Sequence, residues 1–293
     1  MTTFRGLRTA AATATILLLA ACAQPAATGA AGSSPSSAPP SLPSPGGADD
    51  LLLRVASAGG FVTPDMRAGR LPTTSVYADG RVIFLGPEPA IYPGPAVPNV
   101  VVASISPERA RQLVTEAGAA GLVPGADFGR PGVADVPTTQ FTVGETVVGV
   151  EALNEARADD PQLTAAQKAA RTKVKAFLTK LDDLTNGFQA QEAVPYTPEI
   201  LAAVVSPYVH NDDSVGRPRT VEWPGPALPG LSIADGLKLS CVTATGAERD
   251  AVLKAAKEAT QTTPWVWNNE GYAVRLRPLL PDETGCDALK SAS

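Results

Sequence analysis

Histidine, the side chain that most often moves protons near neutral pH, occurs once in this 293-residue chain, at His210. Any Ser-His-Asp or Cys-His device would have to be built on it. Its neighbours Asn211-Asp212-Asp213 mark a polar turn, and the chain has no Gly-x-Ser-x-Gly elbow. The turn offers oxygens to a calcium ion, but no spaced EF-type loop surrounds it, so a solvated loop is expected. Asp127-Phe128-Gly129 matches a kinase metal-binding triplet by letters only, with no catalytic-loop sequence or Gly-rich phosphate loop beside it. P-loop, His-Glu-x-x-His and Cys-x-x-Cys patterns are missing from the sequence. The carboxylate pairs Asp159-Asp160 and Asp182-Asp183 read as solvated surface. No catalytic residue, metal site or cofactor is therefore expected.

The most informative stretch is Leu19-Ala20-Ala21-Cys22. It follows Arg5, Arg8 and an apolar run from Ala10 to Ala21, which is the layout of a secretory signal. The run is shorter than the ~20 residues that a membrane span needs. The tetrad resembles a lipobox, where bacteria attach diacylglycerol to cysteine and cleave before it. That resemblance implies a signal peptide over 1–21 and a mature lipoprotein beginning at Cys22. Two acyl chains, at about 0.8 kcal/mol per buried CH₂, hold stably where one does not.

Composition is consistent with this location. Formal charge is −5. Without the signal's two arginines, 22 Lys+Arg stand against 29 Asp+Glu, or about −7. An acidic chain without a basic cluster argues against nucleic acid and against adsorption on an anionic membrane. The expected contact with the membrane is the lipid alone, and the expected partner is an envelope protein or polymer. Of three cysteines, lipidation of Cys22 leaves Cys241 and Cys286. In an oxidising compartment these form a disulfide more readily than a zinc site with a single histidine.

The elements that would position any site come next. Residues 22–49 are Ala, Pro, Ser and Gly-rich and read as a disordered tether. Two units are expected after it, 50–189 and 194–293, both α+β with mostly antiparallel sheets and helices packed on one face. Leu51–Val55 starts the first. Asp79-Gly80 predicts a two-residue hairpin turn pairing Ala78 with Arg81 and Tyr77 with Val82. Gly86–Pro98 reads as a loop and Val100–Val102 as a return to the sheet. Ser106, Pro107 and Glu108 open a helix with Ala110, Leu113, Val114 and Ala117 on its buried face and Gly121 at its end. Asp135–Val143 and Glu145–Glu151 form a β pair around Gly144. Thr164 and Gln167 have capping-box spacing for a second helix, with Val174, Phe177, Leu178, Leu181 and Leu184 inward and Gly187 as terminator.

This order is similar to an uncharacterised domain of bacterial secreted and lipid-anchored proteins. The matching residues are Tyr77, Asp79, Gly80 and Val82, then Ser106–Glu108, then Asp135–Thr139, across about 51–185. Members of that family carry a cysteine-containing stretch before the hairpin, where this chain has Gly59-Gly60-Phe61. The Ala/Pro/Gly-rich composition is similar to lipoproteins of high-GC actinobacteria. Neither resemblance implies an activity.

In the second unit, Tyr196–Tyr208 reads as a strand in preference to a helix start at Thr197-Pro198-Glu199. His210–Arg219 and Trp223–Leu231 look irregular. Leu237, Leu239 and Cys241 alternate as a strand, and Thr245 with Glu248 predicts a capping box on a helix running to Ala259. Trp265–Trp267 and Tyr272–Leu276 flank Asn268–Gly271, predicting that Trp267 opposes Tyr272 and Trp265 opposes Val274. Trp223, Trp265, Trp267 and Tyr272 read first as the core beneath the helix, and the candidate ligand or partner surface is the competing reading of the same four residues. Arg275 and Arg277 are expected on the opposite, exposed face. The expectation is a lipid-anchored, extracytoplasmic binding or scaffolding module that is not an enzyme. A carboxylate-using hydrolase and an inhibitor of secreted enzymes are the alternatives.

Overall fold

The computed structural model describes residues 47–209 and 219–290. The lipobox-like stretch with Cys22, the part of the expected tether up to residue 46 and the turn expected at His210–Asp213 lie outside them. The first sheet is built from β1 (Leu51–Gly59), β2 (Thr74–Tyr77), β3 (Arg81–Leu85), β4 (Val100–Ser104), β5 (Pro137–Val143), β6 (Thr146–Glu151) and β7 (Val194–Pro195), in the order β6-β5-β1-β2-β3-β4-β7. The helices α1 (Pro64–Ala68), α2 (Pro107–Ala119) and α3 (Ala165–Gly187) are interspersed. The second sheet holds β8 (Ile200–Pro207), β9 (Val221–Glu222), β10 (Leu231–Ala234), β11 (Leu239–Thr245), β12 (Pro264–Trp267) and β13 (Glu270–Pro278), ordered β10-β11-β8-β13-β12-β9. It carries α4 (Gly246–Ala256) and α5 (Asp287–Lys290). Pairing is antiparallel except between β12 and β9, so the fold is α+β. Among the described residues, no helix is long and apolar enough to cross a membrane.

Each sheet covers one face with helices. Leu53, Val55, Val76 and Phe141 pack beneath Leu113 and Val114 of α2 and Val174 and Phe177 of α3. Ser106 Oγ caps α2 by accepting from Arg109 N–H at 3.1 Å. Thr164 and Gln167 form the expected reciprocal capping box on α3. That helix runs through Gly187 and stops at Phe188, whose backbone is extended. In the second sheet, Ala203, Val205, Val242 and Leu276 lie beneath Val252 and Ala256 of α4. The expected capping box there does not form. Thr245 is the last residue of β11, paired with Ile200, and the chain enters the helix through Gly246 at φ 52°.

Both hairpin registers differ from expectation, for one reason: which turn residues adopt positive φ. At the first, only Gly80 does (φ 93°), and β2 and β3 pair Val76 with Val82. The loop is therefore three residues, Ala78-Asp79-Gly80, closed by Gly80 N–H donating to the Tyr77 carbonyl at 3.0 Å. A Cβ on Gly80 would stand 2.1 Å from the Ile105 carbonyl oxygen, so glycine is required here. At the second, Asn268 (φ 49°) and Asn269 (φ 64°) both adopt it, the requirement of a two-residue I′ turn. Trp265 consequently opposes Tyr272, and Trp267 opposes Glu270.

The remaining faces of the two sheets are joined through α1 and the chain after β13. Leu280 packs with Tyr77, Ile83 and Val100 of the first sheet. Leu279 and Leu289 pack with Ala68 of α1 and with Ala202, Val204 and Cys241 of the second. The Cys241–Cys286 disulfide, with Cα atoms 5.9 Å apart, fastens this closing segment to β11.

Candidate functional site: a cleft between the two sheets

The seam between the sheets is rich in arginine, because β1, β13 and the α1–β2 connection supply Arg54, Arg275, Arg277 and Arg70 to it. One part is sealed. Arg54, opposite Ser75 across the β1–β2 ladder, donates through Nε to Ser75 Oγ (3.0 Å) and through Nη2 to Asp282 Oδ1 (2.7 Å) and Tyr77 Oη (3.2 Å). The Tyr77 hydroxyl in turn donates to Asp282 Oδ1 at 2.7 Å. Arg277 forks onto Glu283 with bonds of 2.6 and 2.7 Å, and Glu283 also accepts the Leu280 N–H at 2.8 Å. Arg277 was expected on an exposed face, but only 4% of it is exposed. Its partner stands six residues on in the closing segment, after the strand has ended. Tyr196 Oη donates to the Leu279 carbonyl at 2.8 Å, tying the same segment from the other side.

Electrostatics follow from this closure. Burial alone would raise the pKa of Asp282, but the hydrogen bond and charge of Arg54, with the Tyr77 hydroxyl, hold it below its ordinary value. Burial pushes the Tyr77 phenol upward; the Arg54 charge opposes the rise, and the hydrogen bond to Asp282 adds to it. Burial likewise raises Tyr196 to about 12.

Another part of the seam is open. A cleft of about 380 Å³ lies between the α1–β2 connection, the Gly86–Pro98 loop and β13. Leu71, Leu85, Ala96, Pro98 and Leu276 supply apolar wall, and Arg70, Arg275, Glu88 and Gln261 supply polar groups. Arg275 is fixed by Asp65 of α1, whose Oδ2 accepts from Nε at 3.2 Å and Nη2 at 2.9 Å. Burial opposes ionisation of Asp65, but hydrogen bonds from Thr63 and Arg275 outweigh it and lower its pKa. Gly69 gives the Arg275 stem its path, since a Cβ there would meet Arg275 Cδ at 2.2 Å. Arg70 Nη1 donates to the carbonyls of Ser57 (3.1 Å) and Gly59 (3.0 Å). A further cleft of about 250 Å³ lies beside Arg81, Tyr196, Glu199 and Glu283. There Arg81 is already paired with Asp79 and Asp49.

The size of the larger cleft, its apolar walls and its few polar groups are those of a small-molecule site. Compared with protein-family models, with curated proteins and with solved structures, the chain matches none of them. The reading of the site therefore rests on its own chemistry.

The four aromatics of the candidate surface are brought together, but inside. Trp265 is wholly buried, and Trp223 meets it edge-on, with ring centroids 5.4 Å apart at 87°. The Trp223 indole donates to the Pro226 carbonyl at 2.7 Å. Tyr272 is buried with its hydroxyl donating to Glu270 at 2.7 Å, and the half-buried Trp267 packs against the same cluster. Their strand face lies on the α4 side of the sheet, so the first reading, a core beneath the helix, describes them, and the ligand surface is corrected accordingly. Trp265 Nε1 is the one buried side-chain nitrogen in this cluster with no acceptor among the described residues. The sequence pattern missed Arg70, Gln261 and Glu88 because nothing local marks them. The Asp65–Arg275 contact joins residues 210 apart in sequence. Among the described residues, no group of three His, Cys, Asp or Glu side chains is placed to hold a metal ion.

Proposed function

We propose that this chain is a lipid-anchored, extracytoplasmic envelope protein that acts as a binding module, with the inter-sheet cleft as its binding site. The lipobox-like Leu19–Cys22 and the uncharged tether support the anchor, together with the resemblance to secreted and lipid-anchored proteins. The observation that carries the binding role is the cleft itself: about 380 Å³, apolar-walled, with two guanidinium groups held in place by contacts from outside it. Preorganised polar groups in an apolar recess lower the ordering cost of a bound ligand.

A photo-crosslinking residue at Leu85, on the cleft wall and exposed, tests the binding role in intact cells. The same residue at Val147 on edge strand β6, also exposed, is the control. An adduct at Leu85 that is missing at Val147 is expected. No adduct at Leu85 or at Glu88 removes the binding role. The anchor has its own test, in which intact mass of membrane-extracted protein shows a lipid on Cys22 and Cys22→Ser moves the protein to the soluble fraction. A soluble, unmodified wild-type chain refutes it.

A further inference from the structure

We infer that the cleft takes an organic carboxylate with an aliphatic body, the carboxylate seated on Arg70 and the body lying along the apolar wall. The inference rests on the binding role proposed for the cleft and names the class of its ligand.

Arg70 is the group that points to this ligand. A guanidinium carries five N–H donors in a rigid plane. Both bonds to backbone carbonyls leave from Nη1, at 3.1 and 3.0 Å, with a longer contact to Ser57 Oγ at 3.4 Å. These contacts fix the plane of the group. Among the described residues, nothing accepts from Nε or Nη2 of Arg70, and neither nitrogen is a buried orphan. What remains is the Nε/Nη2 edge, whose two parallel N–H vectors match the two oxygens of a carboxylate. The protein's own use of that edge is visible alongside: Arg275 presents Nε and Nη2 to Asp65. Each of Arg54, Arg277 and Arg81 meets a carboxylate of the chain, whereas Arg70, which lines the cleft, meets none among the described residues.

The rest of the ligand is read from the walls and rim. Leu71, Leu85, Ala96, Pro98 and Leu276 give an apolar lining, and at about 380 Å³ the cleft is near the lower end of small-molecule sites. The same loop that forms one wall also exposes Ile91 (63%) and Tyr92 (75%). Among the described lining residues Glu88 is the one carboxylate, and its Oε1 accepts the Asn99 N–H at 3.0 Å. Its charge disfavours a second anion on the ligand, so a monocarboxylate fits better than a dicarboxylate.

The experiment uses the full chain carrying Cys22→Ser, which needs no detergent if lipidation is the anchor. Calorimetric titration compares decanoate with acetate, decyl phosphate and decylammonium, all below their micellar concentrations. Decanoate should bind, with acetate and decylammonium at least ten-fold weaker. Arg70→Gln should weaken decanoate at least ten-fold while its thermal midpoint stays near that of the parent. Leu85→Asp, at an exposed position, should weaken decanoate and leave folding intact. Equal binding of decanoate and decylammonium, tighter binding of decyl phosphate, or an unchanged affinity in Arg70→Gln would overturn the assignment. If decanoate fails while Leu85 still crosslinks in cells, the ligand class is wrong and the binding role stands. If both fail, the cleft is not a site.

Discussion

The sealed and open parts of the seam are made of the same residue types and differ in one respect. In the sealed part, Arg54 and Arg277 have their carboxylates supplied by the closing segment, at Asp282 and Glu283. In the open part, Arg70 is held through Nη1 by two backbone carbonyls and Ser57 Oγ and, among the described residues, meets no carboxylate. An arginine saturated by its own chain contributes to structure, and one fixed but left with a free fork is equipped for recognition. The comparison also separates burial from chemistry. The indoles, read as core beneath the helix in preference to a binding surface, form that core with Trp267 packed against it, while a half-buried arginine on a five-residue helix's exit holds the free donors.

Breaking the sealed part should have the largest effect. Glu283→Ala leaves Arg277 buried without its counter-charge, so urea unfolding should show a loss of about 3–5 kcal/mol. Removing the Cys241–Cys286 tie by a double alanine substitution should cost about 2–4 kcal/mol, read from the same denaturation midpoint. Tyr77→Phe removes a hydrogen bond to a charged acceptor and should cost about 1.5–3 kcal/mol. Arg70→Gln, in the open part, should change stability by no more than about 1 kcal/mol, since its two carbonyl bonds are partly exposed. If Arg70→Gln costs as much as Glu283→Ala, Arg70 is structural and the contrast collapses.

Titration sharpens the same contrast. Folding lowers the pKa of Asp282, so the unfolded chain binds this proton more readily. Its contribution is present above the ordinary aspartate value of 3.8 and is lost as pH falls through the lowered folded pKa. Folding raises the pKa of Tyr77, so its contribution is present below 10.0 and lost as pH rises beyond it. Tyr196 follows the same sign, with loss between 10.0 and about 12. Unfolding free energy measured against pH should therefore fall at both extremes. Tyr77→Phe should flatten the alkaline limb more than the acid one, because Asp282 keeps Arg54. An unchanged alkaline limb would remove Tyr77 from the pH dependence.

Much of the fold was legible because its signals are local. Ser106 and Thr164 cap their helices where spacing places them, and the apolar stripe of α2 is the buried one. The strand at Ile200–Pro207 and the Cys241–Cys286 bond also follow the reading. Errors began where two local solutions were close in energy. Asp79-Gly80 suits both a two-residue and a three-residue turn, and the neighbouring Ile105 carbonyl favours the form in which Gly80 alone is left-handed. The short strands β7 and β9 had no detectable pattern, since two residues hold no periodicity.

By itself, the sequence determined the three longer helices α2, α3 and α4, the antiparallel α+β pattern and the cysteine pair, because capping, periodicity and cysteine count act within a few residues or by elimination. Tertiary structure alone decided which arginines are satisfied. Arg54 meets a carboxylate 228 residues away, Arg275 one 210 residues away, and Arg70 none among the described residues. Contacts of that range are set by how two sheets close on a shared segment. The pairing of charges across them is a property of the closed fold, and with it the open cleft.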